Sequence, residues 1–266
     1  MTDTQTNNST VAPVEPEVLK EMMDAGVFYG RKKSRTHPRM KQYVLHNRNG
    51  IEIINLHKTG EIFDEAAEFL RKKVKEGGLI LMIGTQPAFE DIVAETATEL
   101  GLPVVLRRWL GGTLTNYGVI SKRVEYYKKL RQDSTTHALE KYTKKERVGI
   151  EREMNRLKEL LGGLELMTRI PDAIVMVDPV LHNSAMREAR QLKVPVVALS
   201  NVDTNPDTVD YPVPGNTKSR QSITWFMNRI AAVIKEAKNS AAAHAAHVAA
   251  NAAPVAAPKA ENEEVA

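Results

Sequence analysis

Residues 171–203 read PDAIVMVDPVLHNSAMREARQLKVPVVALSNVD. Two short apolar runs, AIVMVD (173–178) and PVVALS (195–200), enclose a polar segment in which Ala185, Ala189 and Leu192 recur at helical spacing. Apolar runs without polar alternation suit strands buried on both faces, and a helix between two of them is the connection that parallel strands require. The same unit occurs upstream as LILMIG (79–84), a helix from Phe89 to Leu100 and PVVL (103–106). A helix from Thr59 to Lys75 precedes it, with Ile62, Phe63, Ala66, Phe69, Leu70 and Val74 on one side. Another follows from Ser219 to Ala237 on Ile223, Phe226, Met227, Ile230 and Ile234. The expected fold is therefore α/β: a sandwich of three layers whose mainly parallel sheet is covered by helices on both faces.

The flanking regions depart from this rhythm. Residues 1–14 are polar and aperiodic and read as a disordered lead. A short amphipathic helix from Pro16 to Ala25 leads into the irregular basic stretch RKKSRTHPRMK (31–41), and QYVLH and IEIINL flank an Asn-Gly pair, a hairpin signal. From 116 to 161 no strand signal appears. Ile120, Val124, Tyr127 and Leu130, then Ile150, Met154, Leu157 and Leu161, imply two helices turning at DSTTHA, a protruding antiparallel hairpin. The sandwich then comprises 15–115 and 162–238, and residues 239–266 form an Ala-rich flexible tail.

Composition narrows the chemistry. The chain has 266 residues, no cysteine and a formal net charge of +4, which excludes disulfides, thiol nucleophiles and thiolate metal sites. There is no apolar stretch of spanning length and no signal-peptide layout, so a cytoplasmic protein is expected, with no membrane partner. The charge is unevenly placed. Seven Lys/Arg and no acid lie between Arg31 and Arg48, and seven against the single Glu125 between Arg107 and Arg131. Residues 171–215 are acidic instead, with Asp172, Asp178, Glu188, Asp203, Asp207 and Asp210 outnumbering Arg187, Arg190 and Lys193. Such polarity offers one face to a polyanion.

Catalytic signatures are missing: there is no G-x-G-x-x-G, Walker loop, G-x-S-x-G or H-E-x-x-H. The turn GTQP (84–87) either borders a ligand crevice or simply joins a strand to a helix. In RWLGGTLTNY (108–117) the glycines either cradle a phosphate or redirect the chain into the helical hairpin, with Thr113 or Thr115 as cap. Asp178, Asp203, Asp207 and Asp210 lie at or after strand ends, where they either hold Mg²⁺ and do acid–base work or make turn and capping bonds. His244 and His247 lack the partners that a metal pair needs. No cofactor or metal is expected.

The basic segments point to RNA. The first has no acidic partners, so its self-repulsion calls for an external polyanion, and rings and amides are interleaved with the charge in both. Candidate phosphate contacts are Arg31, Lys32, Lys33, Arg35, Arg39, Lys41 and Arg48 in the loop, and Arg107, Arg108, Lys122 and Arg123 at the hairpin base. Trp109 and Asn116 would shape or contact this second site.

Several stretches in order resemble the bacterial form of one ribosomal family, the second protein of the small subunit, ribosomal protein S-two. They are DAGVFYGRKKSRTHPRMKQYV, RNGIEIINLHKT, RWLGGTLTNY, PDAIVMVDP, EARQLKVPVVALSNVDTNPDTVDYPVPGN and SITWFMNRIAAVI, spanning about 18–235. The resemblance implies a flavodoxin-like sheet with a protruding helical hairpin and a structural, non-enzymatic role in the small ribosomal subunit. It further implies binding to small-subunit rRNA at the junction of head and body, neighbouring ribosomal proteins, and support for ribosomal protein S-one. Phe28 and Arg31 stand where the family usually has histidines, Glu52 and Asn55 replace its His and Asp, and Thr217, Lys218 and Ser219 follow P-G-N where acids are usual. A metal or polar site built on those groups is not expected here, whereas RNA binding is, since Arg31 and Lys218 add positive charge. Two other readings are a soluble α/β enzyme acting on a phosphorylated metabolite, with Gly84–Pro87 or Gly111–Thr115 as phosphate contacts, and a free RNA-binding regulator.

Overall fold

The computed structural model describes residues 15–136 and 142–251, with side chains through residue 242. The lead at 1–14, the tip of the DSTTHA turn, the side chains of His244 and His247 and the tail from 252 lie outside the described residues.

Five parallel strands form the central sheet: β4 (Ile80–Ile83), β5 (Val104–Val105), β6 (Ala173–Val177), β7 (Val196–Ser200) and β8 (Tyr211–Pro214). Their spatial order is β5-β4-β6-β7-β8, the flavodoxin-like 2-1-3-4-5 arrangement. Successive side chains on these strands enter opposite cores. Ile80, Met82, Val175, Val197 and Leu199 pack with helices α1 (Pro16–Asp24), α2 (Leu56–Lys75), α3 (Glu90–Leu100) and α7 (Arg220–Asn251). Leu81, Ile83, Ile174, Met176 and Ala198 pack with α4 (Tyr117–Thr135), the end of α5 (Lys144–Leu161) and α6 (Asn183–Leu192). This double burial explains why β4, β6 and β7 read as unbroken apolar runs.

A second, antiparallel sheet has the order β1-β3-β2, from Tyr29–Lys32, Ile51–Ile54 and Val44–Arg48. The Asn49-Gly50 turn joins the latter two, as the sequence suggests. The basic stretch differs from the irregular loop expected. Tyr29–Lys32 is a strand on β3, and two 3₁₀ turns, Lys33–Arg35 and Pro38–Tyr43, follow it. His37 N donates to Val202 O at 2.8 Å, fixing this small sheet beyond the carboxyl end of β7.

β8 is a further departure. Pro212 and Pro214 mask it in the sequence, but β8 pairs only with β7, and an edge strand tolerates missing donors. Helix α7 runs past Ala237 to Asn251; among the described side chains Ala237 is the last in the core, and alanine favours helix by intrinsic propensity. Helices α4 and α5 pack on each other, with Ile120, Val124, Tyr127 and Leu130 buried on α4. A capping box between Thr143 and Glu146 starts α5.

Candidate nucleic-acid interface

Strand order reverses between β4 and β6, so their carboxyl ends border the crevice where this architecture ordinarily admits a ligand. The chain fills that crevice itself. Asp178, in left-handed backbone at φ 60°, is buried at the end of β6. Its Oδ2 accepts from Thr217 Oγ1 at 3.2 Å and Gln86 Nε2 at 3.3 Å, and pairs with Lys218 Nζ at 3.4 Å and Arg31 at 3.6 Å. Arg31 Nε also lies 2.7 Å from Asp203, and Lys218 Nζ donates to Gln86 Oε1 at 3.1 Å. Two cations from opposite ends of the chain thus close on two aspartates. Burial pushes the Asp203 carboxyl up, Arg31 pulls it down, and nearby Asp178 adds to the rise. His182, also buried here, is held below the usual histidine range by desolvation, against the opposing pull of Asp178.

At the GTQP turn the Gln86 side chain is thus engaged with Asp178 and Lys218. Gly84 serves packing: a Cβ there would sit 2.8 Å from Val93 Cγ2 on α3, so its missing side chain lets helix and strand approach. Among the described residues, no group of three or more His, Asp or Glu is arranged to hold a metal ion.

The second glycine loop is an anion cradle, and its anion is internal. Glu188, on α6, reaches into residues 109–115. Its Oε1 accepts from Trp109 Nε1 and Gly112 N, each at 2.9 Å; its Oε2 accepts from Leu114 N at 3.0 Å and from Thr115 N and Oγ1 at 3.1 Å. Burial raises the Glu188 pKa, but the bonds from Trp109, Gly112, Thr115 and Leu114 together outweigh it and hold the carboxyl below the ordinary glutamate range. Gly112, at φ 88°, supplies the backbone reversal that turns these amides inward. Thr113 Oγ1 donates to Leu110 O at 2.6 Å instead of capping a helix, and α4 begins after Asn116 without a side-chain cap.

The candidate phosphate contacts separate into two groups. Lys32, Lys33, Arg35, Lys41 and Arg48 are exposed on the small sheet and its turns, without an ion-pair partner among the described residues. Arg108, Lys122 and Arg123 are likewise exposed and unpaired near the start of α4, with exposed Asn116 beside them. Arg31, by contrast, is committed to Asp178 and Asp203; Arg39 pairs with Asp207, and Arg107 with Glu90 at 3.3 Å. Trp109 is buried with its indole N–H on Glu188, so it shapes the loop and leaves no open ring face for a base. Asp210 accepts from Val196 N at 2.8 Å, a turn-holding role. The sequence shows Glu188 only as one acid of 171–215 and Lys218 only as added positive charge; their internal roles are not legible there because the partners Trp109 and Gln86 are more than seventy residues away.

Residues 22–237 match the family model described as Ribosomal protein S2. The chain is 41% identical over 226 residues to small ribosomal subunit protein uS2 of Thermus thermophilus, covering 85% of this chain and 88% of that protein. It is 40% identical over 222 residues to small ribosomal subunit protein uS2c of Cyanophora paradoxa, covering 84% and 95%. With uS2 of Mycobacterium leprae the identity is 40% over 218 residues, covering 82% and 79%.

Proposed function

Since the chain belongs to the ribosomal protein S2 family, we propose that it is a structural, non-enzymatic constituent of the small ribosomal subunit that binds its rRNA and supports translation. The reading extends to a position at the junction of head and body in cytoplasmic ribosomes, beside other small-subunit proteins, with ribosomal protein S-one docking nearby. No helix among the described residues is long and apolar enough to cross a membrane.

The observation that carries RNA binding is the row of unpaired cations Lys32, Lys33, Arg35, Lys41 and Arg48 on one small sheet and its turns, with no acid among them in sequence. Charges held this close repel one another and gain most from a phosphate chain. Arg108, Lys122 and Arg123 supply a second cluster near the start of α4. Arg31 supports the site from behind: its bonds to Asp178 and Asp203 hold β1, so the neighbouring Lys32 and Lys33 project outward. The alternative of an enzyme acting on a phosphorylated metabolite loses one anion site to the internal Glu188 carboxylate, and at the other Gln86 and Lys218 are turned onto the buried Asp178 carboxylate.

Binding through five to eight phosphate contacts gives a log–log salt slope of roughly −3.5 to −7. The test is incorporation. A chain with Lys32→Gln, Lys33→Gln and Arg35→Gln should fold normally yet compete poorly with wild type for places in sedimented small subunits. Equal incorporation removes this surface from the rRNA contact, and a wild-type chain that stays in the soluble fraction removes the ribosomal role.

A further inference from the structure

By sequence, residues 171–215 are the acidic part of the body, but the fold gives each of their acids a partner within the chain, Asp207 and Asp210 remaining exposed beside Arg190 and Lys193 in a separate pocket. Asp172 accepts from Leu79 N and pairs with Arg169; Asp178 and Asp203 hold Arg31; Glu188 fills the 109–115 loop. Asp207 pairs with Arg39, and Asp210 accepts from Val196 N. The cations of the same segment are left outside. Arg187, Arg190 and Lys193 are exposed and without an ion-pair partner among the described residues; Arg190 makes one bond, to Asp207 O at 3.3 Å.

Arg187 and Arg190, three apart on α6, share one helix face and border a groove of about 370 Å³ between α6 and the 204–208 turn. No acidic residue lines it. Asn183 and Asn205 contribute amides, Val180, 47% exposed, forms an apolar lip, and Thr204 lies at the bottom. Thr204 is only 2% exposed, and its hydroxyl has no hydrogen-bond partner. An unsatisfied hydroxyl in the wall of the groove is a cost to the fold, and the two guanidiniums on its border, which have no ion-pair partner among the described residues, favour an anion entering from outside.

We propose that this groove is a further RNA contact, taking one backbone phosphate between Arg187 and Arg190 with the adjoining nucleotide against Val180. It rests on the rRNA-binding reading but uses residues outside both basic segments. The guanidinium forks match phosphate oxygens, and the amides and apolar lip suit a ribose and base. An extended acidic peptide is a poorer fit, because β7 is already paired on both sides and leaves no strand edge open beside the groove.

The test is filter binding of the full chain to small-subunit rRNA across a salt series. Three chains are compared with wild type: Arg187→Gln, Arg187→Gln with Arg190→Gln, and the loop triple at Lys32, Lys33 and Arg35. Thermal melts check that each folds; Arg187→Gln, which touches no described partner, is the safeguard if the double variant does not. Each lost phosphate contact should flatten the slope by about 0.7–0.9, and the double variant should bind about tenfold more weakly at moderate salt. If the loop triple weakens binding while both α6 variants match wild type, the groove proposal falls and the RNA-binding reading stands. If none of the three changes slope or affinity, the reading itself fails and takes the groove with it. If the α6 variants bind rRNA normally but assemble into subunits lacking a neighbouring protein, the groove is a protein contact and the proposal is overturned.

Discussion

Replacing Glu188 removes the single acceptor around which residues 109–115 are organised. In Glu188→Ala, three backbone N–H groups, the Trp109 indole and the Thr115 hydroxyl lose their common partner. A hydrogen bond to a charged acceptor contributes about 1.5–3 kcal/mol when shielded, and an orphaned amide costs about 1–3 kcal/mol. Because water reaches part of this site and can satisfy the Thr115 groups, which are exposed, the sum is discounted to about 3–4 kcal/mol. Glu188→Gln should cost about 2–3 kcal/mol, since its one carbonyl oxygen replaces half of the carboxylate and its NH₂ faces donors. The assay is urea unfolding followed by Trp109 fluorescence in a Trp225→Phe background. Acid provides a second reading of the same interaction. The folded-state pKa of Glu188 lies below its unfolded value, so its contribution is complete above about pH 4.5 and is lost as pH falls through the folded pKa. The stability gap between wild type and Glu188→Ala should therefore narrow on acidification. A gap below about 1 kcal/mol at pH 7, with an unchanged Trp109 spectrum, would refute the role assigned to this carboxylate.

Three other outcomes follow from the packing. Arg31→Gln should destabilise the protein by about 2–4 kcal/mol, because Asp178 and Asp203 are left facing each other, while moving the rRNA salt slope less than Lys32→Gln does; the reverse ranking would place Arg31 on the RNA. Gly84→Ala should cost about 1–3 kcal/mol by calorimetry, through its collision with Val93, and Val93→Ala in the same chain should recover part of that; additive losses would count against the contact. His182, buried and held below its ordinary pKa, should make wild type lose stability as pH falls from about 6.5 through its lowered folded value. A His182→Leu chain should lack that part of the pH–stability curve, and an unchanged curve would show that His182 titrates freely.

Most of the sheet was legible because parallel strands buried on both faces carry an unmistakable signature: Ile80–Ile83, Ala173–Val177 and Val196–Ser200 have no polar face to confuse the reading. β8 was not, since Pro212 and Pro214 resemble punctuation until it is known that the strand has an unpaired edge. The candidate site divides on the same ground. Lys32, Lys33 and Arg35 owe their exposure to a local excess of charge that sequence displays directly. Whether an arginine is free or engaged depends on distant acids: Arg31 and Arg39 look equivalent to their neighbours along the chain, yet Asp178 and Asp203 take Arg31 inward and Asp207 pairs with Arg39 at the surface. The acidic balance of 171–215 is a poor guide for the same reason, because net charge does not say which acids are already engaged within the chain. The family resemblance carried what neither periodicity nor charge supplies, the ribosome as the setting.

The closed crevice also orders events in time. Arg31 has no acid near it in sequence, and its two partners lie at 178 and 203, while Lys218 completes the cluster from still further along. During synthesis from the amino end, β1 and the cations after it emerge long before the aspartates that fasten them to the sheet. The first basic surface thus stays unfastened from the central sheet until residues as far along as Asp203 have been made. A chain that stops short of Asp203 has the charges of this surface but lacks the ion pair that fastens β1 beside that residue.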